Sequence, residues 1–196
     1  MSRFLRLLCP SALVESVPMI DIAELKRRGI NALLTDLDNT LVPWRSYDIA
    51  PETVTWINDA AKQGMKLCIV SNTRAGKRLR ELAASLGIPC VKRGLKPRRG
   101  GFRQALELLR AQPEHTAVIG DQLFTDILGG NRLGLYTVLV RPLHHREFIG
   151  TKVSRFFERM VLRLLERRGM ICRLGVESPR LGEQLDKGDS QMKLGQ

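Results

Sequence analysis

The sequence predicts an α/β protein built on a parallel sheet with helices on both faces. From residue 30 to residue 140, short apolar runs alternate with amphipathic stretches, which is the pattern of repeated strand–helix–strand units. The apolar runs are almost continuous in Val, Ile and Leu, as expected of strands that are buried on both faces. Several runs end at a polar residue, and parallel sheets bind ligands at the carboxyl ends of their strands.

Five strands and four helices follow from this pattern. Pro51 suits the first turn of a helix, and Gly64 and Gly87 are typical of residues that end one. The predicted strands cover residues 30–35, 65–70, 88–91, 116–119 and 136–140. The predicted helices cover residues 51–63, 75–86, 102–110 and 124–131.

The chain divides into four segments. Residues 30–142 form the predicted α/β core, and residues 1–29 form an amphipathic segment that packs on this core or flanks it. Residues 143–170 are predicted to be a basic, amphipathic helical extension. Residues 171–196 are rich in Gly, Ser and charged residues, which predicts a disordered tail.

Composition limits the class of protein. The 196 residues are enough for one well-buried domain. The formal net charge of +12 indicates polyanionic partners, either nucleic acid or an anionic membrane surface. The four cysteines form no C-x-x-C pair, so we expect reduced thiols in a cytoplasmic protein and no zinc site. They are Cys9, Cys68, Cys90 and Cys172.

The sequence predicts neither a signal peptide nor a membrane span. Arg6 and Pro10 interrupt the apolar N-terminus, which leaves its apolar run too short for a signal peptide. No apolar stretch reaches 18 residues.

His144 and His145 are expected at the surface and not at a metal site.

Polar groups at four strand ends would meet at one edge of the sheet. Carboxylates that share a cleft repel each other unless a cation joins them, and Mg²⁺ suits an all-oxygen site that also binds phosphate. One carboxylate could attack phosphorus to form a mixed anhydride, while a second protonates the leaving alkoxide and then activates water. The groups are Asp36 with Asp38, Ser71, Lys96, and Asp121 with Asp126.

The same residues resemble the four motifs of the haloacid dehalogenase (HAD) superfamily, in order. The matching segments are Asp36-Leu-Asp38-Asn-Thr40, Val70-Ser71-Asn72, Lys96-Pro97, and Gly120-Asp121-Gln-Leu-Phe-Thr125-Asp126. The resemblance covers residues 30–140. It implies a Rossmann-like HAD fold with a phosphatase core at residues 30–142.

The resemblance also implies catalytic roles. Asp36 would be the nucleophile and a Mg²⁺ ligand, and Asp38 the general acid/base with its backbone carbonyl on the metal. Asp at position 38 favours hydrolysis of a phosphate ester, because the ATPases of the superfamily have Thr there.

The remaining motif residues would bind phosphate and metal. Ser71, Asn72 and Lys96 would hold the phosphate. Asp121 would complete the metal site, and Asp126 would support it directly or through water.

Each motif has a simpler interpretation. Asp-Asn pairs often form turns, the Ser71–Thr73 stretch would also suit a helix cap, and Lys96 lies among other cations of a surface type. Gly120-Asp121 could form a plain turn. The order of the four motifs, each after a predicted strand, favours the catalytic interpretation. Trp44 either lines the entrance of the site or packs locally.

The spacing of the motifs leaves no room for a cap domain. HAD enzymes for small metabolites often carry a cap after motif one or between motifs two and three. Residues 40–65 have room for one loop and one helix, and residues 71–96 for one helix and a short strand. We therefore expect an open site that suits a phosphate presented on a large substrate.

Basic residues are concentrated in two regions. Residues 92–103 hold six cations, and Lys96 is one of them. In residues 152–168, apolar residues recur at helical spacing among arginines, which predicts a helix of the kind that lies on anionic membranes. The alternative is that its apolar side packs on the sheet, and both can hold. The cations expected at a membrane are Lys152, Arg155, Arg159 and Arg163.

Within the superfamily the chain resembles the class III, YqeG-type phosphatases. These share Asp-Leu-Asp-Asn-Thr-Leu-Val-Pro-Trp, here at residues 36–44, and Gly-Asp-Gln-Leu-x-Thr-Asp, here at residues 120–126. The group is similar to mitochondrial and plastid enzymes that convert phosphatidylglycerophosphate to phosphatidylglycerol. The resemblance implies that lipid as substrate. From the cysteines, the lack of a membrane span and the basic helix, we expect the enzyme in the cytoplasm or peripheral on the inner face of the membrane.

Two other functions stay open at this point. One is a soluble phosphatase for a sugar, a nucleotide or a nucleic acid end. The other is a basic RNA- or ribosome-binding protein on a HAD fold. The intact set of carboxylates argues against it, and so does the lack of an aromatic- or glycine-rich RNA-binding motif.

Overall fold

The fold is built on a six-stranded sheet in which all neighbouring strands are parallel. The computed structural model describes residues 3–73, 75–92, 96–143 and 149–169, with side chains from residue 157 onwards in the last range. The strands are β1 (Ala12–Val14), β2 (Ala32–Thr35), β3 (Lys66–Ser71), β4 (Cys90–Lys92), β5 (Thr116–Gly120) and β6 (Tyr136–Val140). Their order is β1–β6–β5–β2–β3–β4. The predicted α/β fold is confirmed.

Helices cover both faces of this sheet. Leu33 and Leu34 are consecutive in β2 and fully buried, yet they belong to two different apolar clusters, because successive side chains of a strand point to opposite faces. Leu33 belongs to the same cluster as Ile57 of one helix, and Leu34 to the same cluster as Phe102 of another. The helices are α1 (Arg3–Leu7), α2 (Ile22–Arg27), α3 (Pro51–Lys62), α4 (Gly76–Ser85), α5 (Arg99–Leu109), α6 (Leu128–Asn131) and α7 (Ile149–Arg167).

The N-terminal segment supplies a strand that the sequence pattern did not predict. β1 pairs with β6 at the edge of the sheet, and three residues are too few to show a strand pattern. The Asn131 amide donates hydrogen bonds to the carbonyls of Leu7 at 2.8 Å and Cys9 at 2.9 Å. The Trp56 indole N–H donates to the Ile20 carbonyl at 2.8 Å. These contacts make the segment part of the packed domain.

The stretch predicted as one helix at residues 124–131 is two elements. A π-helical turn, Leu123–Ile127, precedes α6, and the Ile127 N–H reaches the Gln122 carbonyl five residues back at 3.3 Å. Apolar spacing cannot signal such a turn, because the extra residue breaks the 3.6 period. Its position immediately after β5 brings Asp126 to the edge of the sheet.

α7 has a packed face and an exposed face. Leu165 is fully buried, and Val161 and Leu162 pack on the apolar cluster that includes Leu8 and Leu123. Glu158 of α7 is also buried on this face, and its carboxylate accepts the Phe124 N–H at 3.4 Å. Three large apolar side chains point away from this contact and remain 36–52% exposed: Phe157, Met160 and Leu164.

The described residues contain no cap domain. Between β2 and β3 they hold one loop and α3, and between β3 and β4 they hold α4, as the motif spacing predicts. No helix in the described ranges is long and apolar enough to cross a membrane.

Some predictions fall outside the described residues. These concern the histidine pair, the fourth cysteine, the C-terminal tail and two side chains of the basic helix: His144, His145, Cys172, residues 171–196, Lys152 and Arg155.

Candidate active site

Three adjacent strands bring the first polar groups of the site together. β5, β2 and β3 are neighbours in the sheet. Asp36 follows β2 and its N–H donates to the Ile119 carbonyl of β5 at 2.9 Å. Ser71 is the last residue of β3, and Asp121 follows β5 directly. Parallel strands present their carboxyl ends at one edge, so these side chains face one region.

Three buried carboxylates form an acidic centre at this edge. Carboxylate oxygens of Asp36, Asp121 and Asp126 all lie within 4.8 Å of one another. The Lys96 ammonium lies between two of them, with its Nζ 2.5 Å from Asp36 Oδ1 and 2.6 Å from Asp126 Oδ1. When all are ionised, the centre has two more negative than positive charges. One divalent cation would balance that excess, and hard oxygen ligands suit Mg²⁺, so the residues fit the predicted metal.

Burial and the neighbouring charges together control the ionisation of this centre. Burial raises the pKa of Asp36 from 3.8 to about 6, although the Lys96 ammonium opposes the shift. Burial alone would lower the pKa of Lys96, but the carboxylates of Asp126 and Asp36 raise it above its ordinary value. Lys96 is therefore a permanent cation, and Asp36 is ionised at neutral pH with a free-energy penalty.

This penalty predicts a pH dependence of stability in the metal-free protein. Below pH 3.8 the Asp36 carboxyl is protonated in both states, and between 3.8 and about 6 the folded state alone retains the proton. The contribution of Asp36 to the free energy of unfolding therefore falls as pH rises through this window, by up to about 3 kcal/mol. Urea unfolding in EDTA, from pH 4 to pH 8, measures this contribution as the difference in the free energy of unfolding between Asp36→Asn and wild type. A difference that stays constant with pH would contradict the expectation.

Asp126 is held in place by its neighbours. Its Oδ2 accepts the Gln122 N–H at 3.2 Å and the Thr125 hydroxyl at 3.3 Å. A Cβ on Gly120 would lie 2.2–2.5 Å from the Asp126 side chain, so any side chain at position 120 would displace this carboxylate. The glycine of motif four is therefore needed for space.

Asp38 lies outside the acidic centre and is held by an arginine. The buried guanidinium of Arg78 pairs with Asp38 Oδ1, and its Nε donates to the Ser46 carbonyl at 3.0 Å. Asp38 Oδ1 also accepts the Arg45 N–H at 3.1 Å. Arg78 was missed in the sequence, although one signal was available: it occupies a position on the buried stripe of α4 with Leu79 and Leu82.

An asparagine connects motifs two and three. The Lys96 N–H donates to Asn72 Oδ1 at 2.8 Å, and Asn72 Nδ2 donates to the Lys96 carbonyl at 3.1 Å. Ser71 Oγ accepts the Thr73 N–H at 3.1 Å, and α4 begins only at Gly76 without a side-chain cap. Ser71 therefore does not cap α4. Its hydroxyl oxygen closes a local turn instead.

A large open cavity lies over these groups. It has a volume of about 850 Å³. Its lining includes Asp36, Ser71 and Lys96. Trp44 also lines it, so this residue lies at the site, as one of the two alternatives predicted. The remaining lining side chains include Asp38, Asn39, Arg45, Tyr47, Asn72, Thr73, Lys77, Arg78, Gln122 and Thr125.

Known proteins match both the sequence and the fold. A profile of the HAD-hydrolase-like family matches residues 95–146. The probable phosphatase YqeG of Bacillus subtilis is 37% identical over 162 residues, which are 83% of this chain and 94% of that protein. The phosphatidylglycerophosphate phosphatase 1 of Arabidopsis thaliana (chloroplastic/mitochondrial) is 30% identical over 82% of this chain, which spans only 49% of that protein. A solved crystal structure with 17% identity aligns with a TM-score of 0.53, covers 74% of this chain and 88% of its own, and supports the fold alone.

The parallel sheet, the acidic edge and these matches define a phosphatase of the HAD class. Within this class, the chain belongs to the YqeG-type phosphatases. The predicted family and the predicted enzyme class are confirmed.

Proposed function

We propose that this phosphatase is Mg²⁺-dependent, acts through an aspartyl-phosphate on Asp36 and has phosphatidylglycerophosphate as its substrate. The observation that carries the chemistry is the buried acidic centre, whose three carboxylates and one ammonium lie beside an open cavity. The 30% identity to the phosphatidylglycerophosphate phosphatase 1 of Arabidopsis thaliana supports the substrate.

In this proposal two aspartates divide the proton and phosphoryl transfers. An oxygen of Asp36 attacks phosphorus, and the bond from phosphorus to the leaving oxygen breaks. Asp38 gives that oxygen a proton and then takes one from the water that hydrolyses the acyl phosphate. Arg78 and the Arg45 N–H hold Asp38 at the cavity wall for both steps.

The other motif residues bind the transferred phosphate in this proposal. The Ser71 hydroxyl retains its O–H for donation, and Lys96 supplies a buried positive charge beside Asp36. The Asn72 side chain holds the Lys96 backbone, so Asn72 would contribute its backbone N–H. A Mg²⁺ ion held by Asp36, Asp121 and Asp126, with the Asp38 carbonyl, would neutralise charge on the phosphate oxygens.

The surface around α7 supports a lipid substrate. The outer face presents Phe157, Met160 and Leu164 beside exposed Arg159 and Arg163. Apolar side chains flanked by arginines match an anionic lipid surface in both hydrophobicity and charge. We therefore propose that the enzyme works in the cytoplasm, peripheral on the inner face of a membrane. The part of the chain that the structure describes places no cap domain between the cavity and the lipid.

Phosphate release from purified lipid tests the substrate. We expect Mg²⁺-dependent release from phosphatidylglycerophosphate, and loss of release in EDTA with recovery on addition of Mg²⁺. Sugar phosphates, nucleotides and 5′-phosphorylated RNA serve as competing substrates. Turnover of an aryl phosphate or of those compounds, without turnover of the lipid, would contradict the lipid substrate.

Changes on the outer face of α7 test the membrane contact. Met160→Glu with Leu164→Glu replaces two apolar contacts by charges, and we expect at least about a 10-fold weaker binding to vesicles that contain phosphatidylglycerol. Vesicle sedimentation measures the binding. Leu108→Glu on α5 is the matched control, because Leu108 is 54% exposed on another helix. Equal losses in both variants would contradict a specific contact through α7.

A further inference from the structure

Among the residues that the structure describes, four cationic and two acidic residues line the cavity. The acids are Asp36 and Asp38. Lys96 is paired with Asp36 and Asp126, and Arg78 is paired with Asp38. Among the described lining residues, this leaves Arg45 and Lys77 as the cations that none of the cavity acids neutralises. A phosphate monoester held at Asp36 does not account for them.

We infer that Arg45 and Lys77 form a second anion subsite, which binds a phosphate group carried on the leaving group of the substrate. The inference rests on the proposed phosphatase function, and it adds a specificity determinant to it. In phosphatidylglycerophosphate this second phosphate is the phosphodiester, separated from the terminal phosphate by a glycerol unit.

The loop that carries Arg45 is shaped and held in advance. Arg45 has a left-handed backbone with φ of 60°, which costs free energy in a residue other than glycine and is found where surrounding structure enforces it. Its N–H is fixed by Asp38 Oδ1 at 3.1 Å, and the next residue, Ser46, is fixed by Arg78. The residues that position the general acid/base therefore also position Arg45.

The Arg45 side chain is ordered as well. Its guanidinium carbon lies over the Trp44 ring, 4.5 Å from the ring centroid, which is the range of a cation–π contact. Trp44 N–H in turn donates to Asn39 Oδ1 at 3.2 Å. Arg45 is exposed, and the N–H fork of a guanidinium matches two oxygens of a phosphate.

The second cation lies where positive charge already accumulates. Lys77 is in the first turn of α4, a turn without an acidic residue. The Lys92 ammonium lies over the same turn, 2.6 Å from where a Cβ of Gly76 would be. The pair between Lys77 and Glu81 spans 3.8 Å with both side chains exposed, a geometry that contributes little. A helix start flanked by two lysines attracts an anion.

Selectivity between substrates with one and two phosphates tests the subsite. The probes are a short-chain, monomeric phosphatidylglycerophosphate, fructose 1,6-bisphosphate and an aryl phosphate. For the double variant Arg45→Gln with Lys77→Ala, we expect the ratio of kcat/KM between the best two-phosphate substrate and the aryl phosphate to fall at least about 30-fold, mainly through KM. Lys62→Ala on α3, an exposed lysine, is the control that leaves this ratio unchanged.

The outcomes separate the subsite from the proposed substrate. A ratio that is unchanged in the double variant overturns the subsite, as does a wild-type enzyme with no preference for any substrate with two phosphates. A fall seen with the lipid supports the subsite and the lipid together. A fall seen with fructose bisphosphate alone supports the subsite and rejects the lipid as substrate.

Discussion

The Asp36→Asn variant is expected to lose at least about 10³-fold in kcat on every phosphate monoester, because an amide cannot form the acyl phosphate. The substitution keeps the size of the side chain, and an amide oxygen can still accept from the Lys96 ammonium at Asp36. It also removes a carboxylate that burial makes costly, so the metal-free fold should be at least as stable as wild type at neutral pH. The measurement is steady-state phosphate release with Mg²⁺, accompanied by thermal unfolding.

Two further measurements make the assignment specific. Asp59→Asn, a half-exposed aspartate on α3, should retain wild-type turnover. In an Asp38→Asn background, with an aryl phosphate whose leaving group departs without a proton, the acyl phosphate should accumulate, because its hydrolysis lacks the general base. Borohydride reduction followed by mass spectrometry would then mark residue 36. Retention of more than a few per cent of activity in Asp36→Asn, or a mark on another residue, would show that Asp36 is not the nucleophile.

The Lys96→Met variant is expected to lose both stability and activity. The Lys96 side chain is 2% exposed and contacts two buried carboxylates, so its removal leaves these charges without their ammonium. Breaking a buried ion pair from one side costs about 3–5 kcal/mol. If Lys96 stabilises the transferred phosphate as proposed, its loss costs about 10²–10³ in kcat. Urea unfolding in EDTA and steady-state kinetics measure the two effects.

A double variant separates charge from packing at this position. Lys96→Met combined with Asp126→Asn removes one charge of each sign, and we expect it to recover a large part of the lost stability. Lys62→Met, at an exposed position, should change stability little. If the double variant is no more stable than Lys96→Met alone, the cost lies in packing and not in the unpaired carboxylates.

The sheet and the motif positions could be predicted because they depend on local patterns. β6 was predicted with its observed bounds, since Tyr136–Val140 is an apolar run between clear breaks. α5 begins at Arg99, three residues before its predicted start at 102, because Gly100 and Gly101 obscure the helix in the sequence. Packing of the Phe102 ring, fully buried on the sheet, outweighs this low propensity.

The rest of the site depends on contacts between distant residues. The pairing of Arg78 with Asp38 joins positions 40 residues apart, and the Asn72–Lys96 contact joins positions 24 apart. The motifs identify Asp38, Asn72 and Lys96 as site residues, but the spacing of the motifs does not predict the hydrogen-bond partners of these residues. The resemblance to a family supplies roles for these residues without supplying their partners.

The two faces of α7 have a practical consequence for handling the enzyme. Truncation before α7 would expose the apolar cluster that contains Leu8, Leu123, Ile127 and Leu139. It would also remove the hydrogen bond between Glu158 and Phe124. Phe124 lies in the π-helical turn that carries Asp126. A shortened chain would thus lose activity for reasons unrelated to lipid. Polar substitutions at Met160 and Leu164, which are 52% and 36% exposed, are expected to spare that packed surface. Such variants would separate the proposed lipid contact from the fold in crystallisation and in solution kinetics.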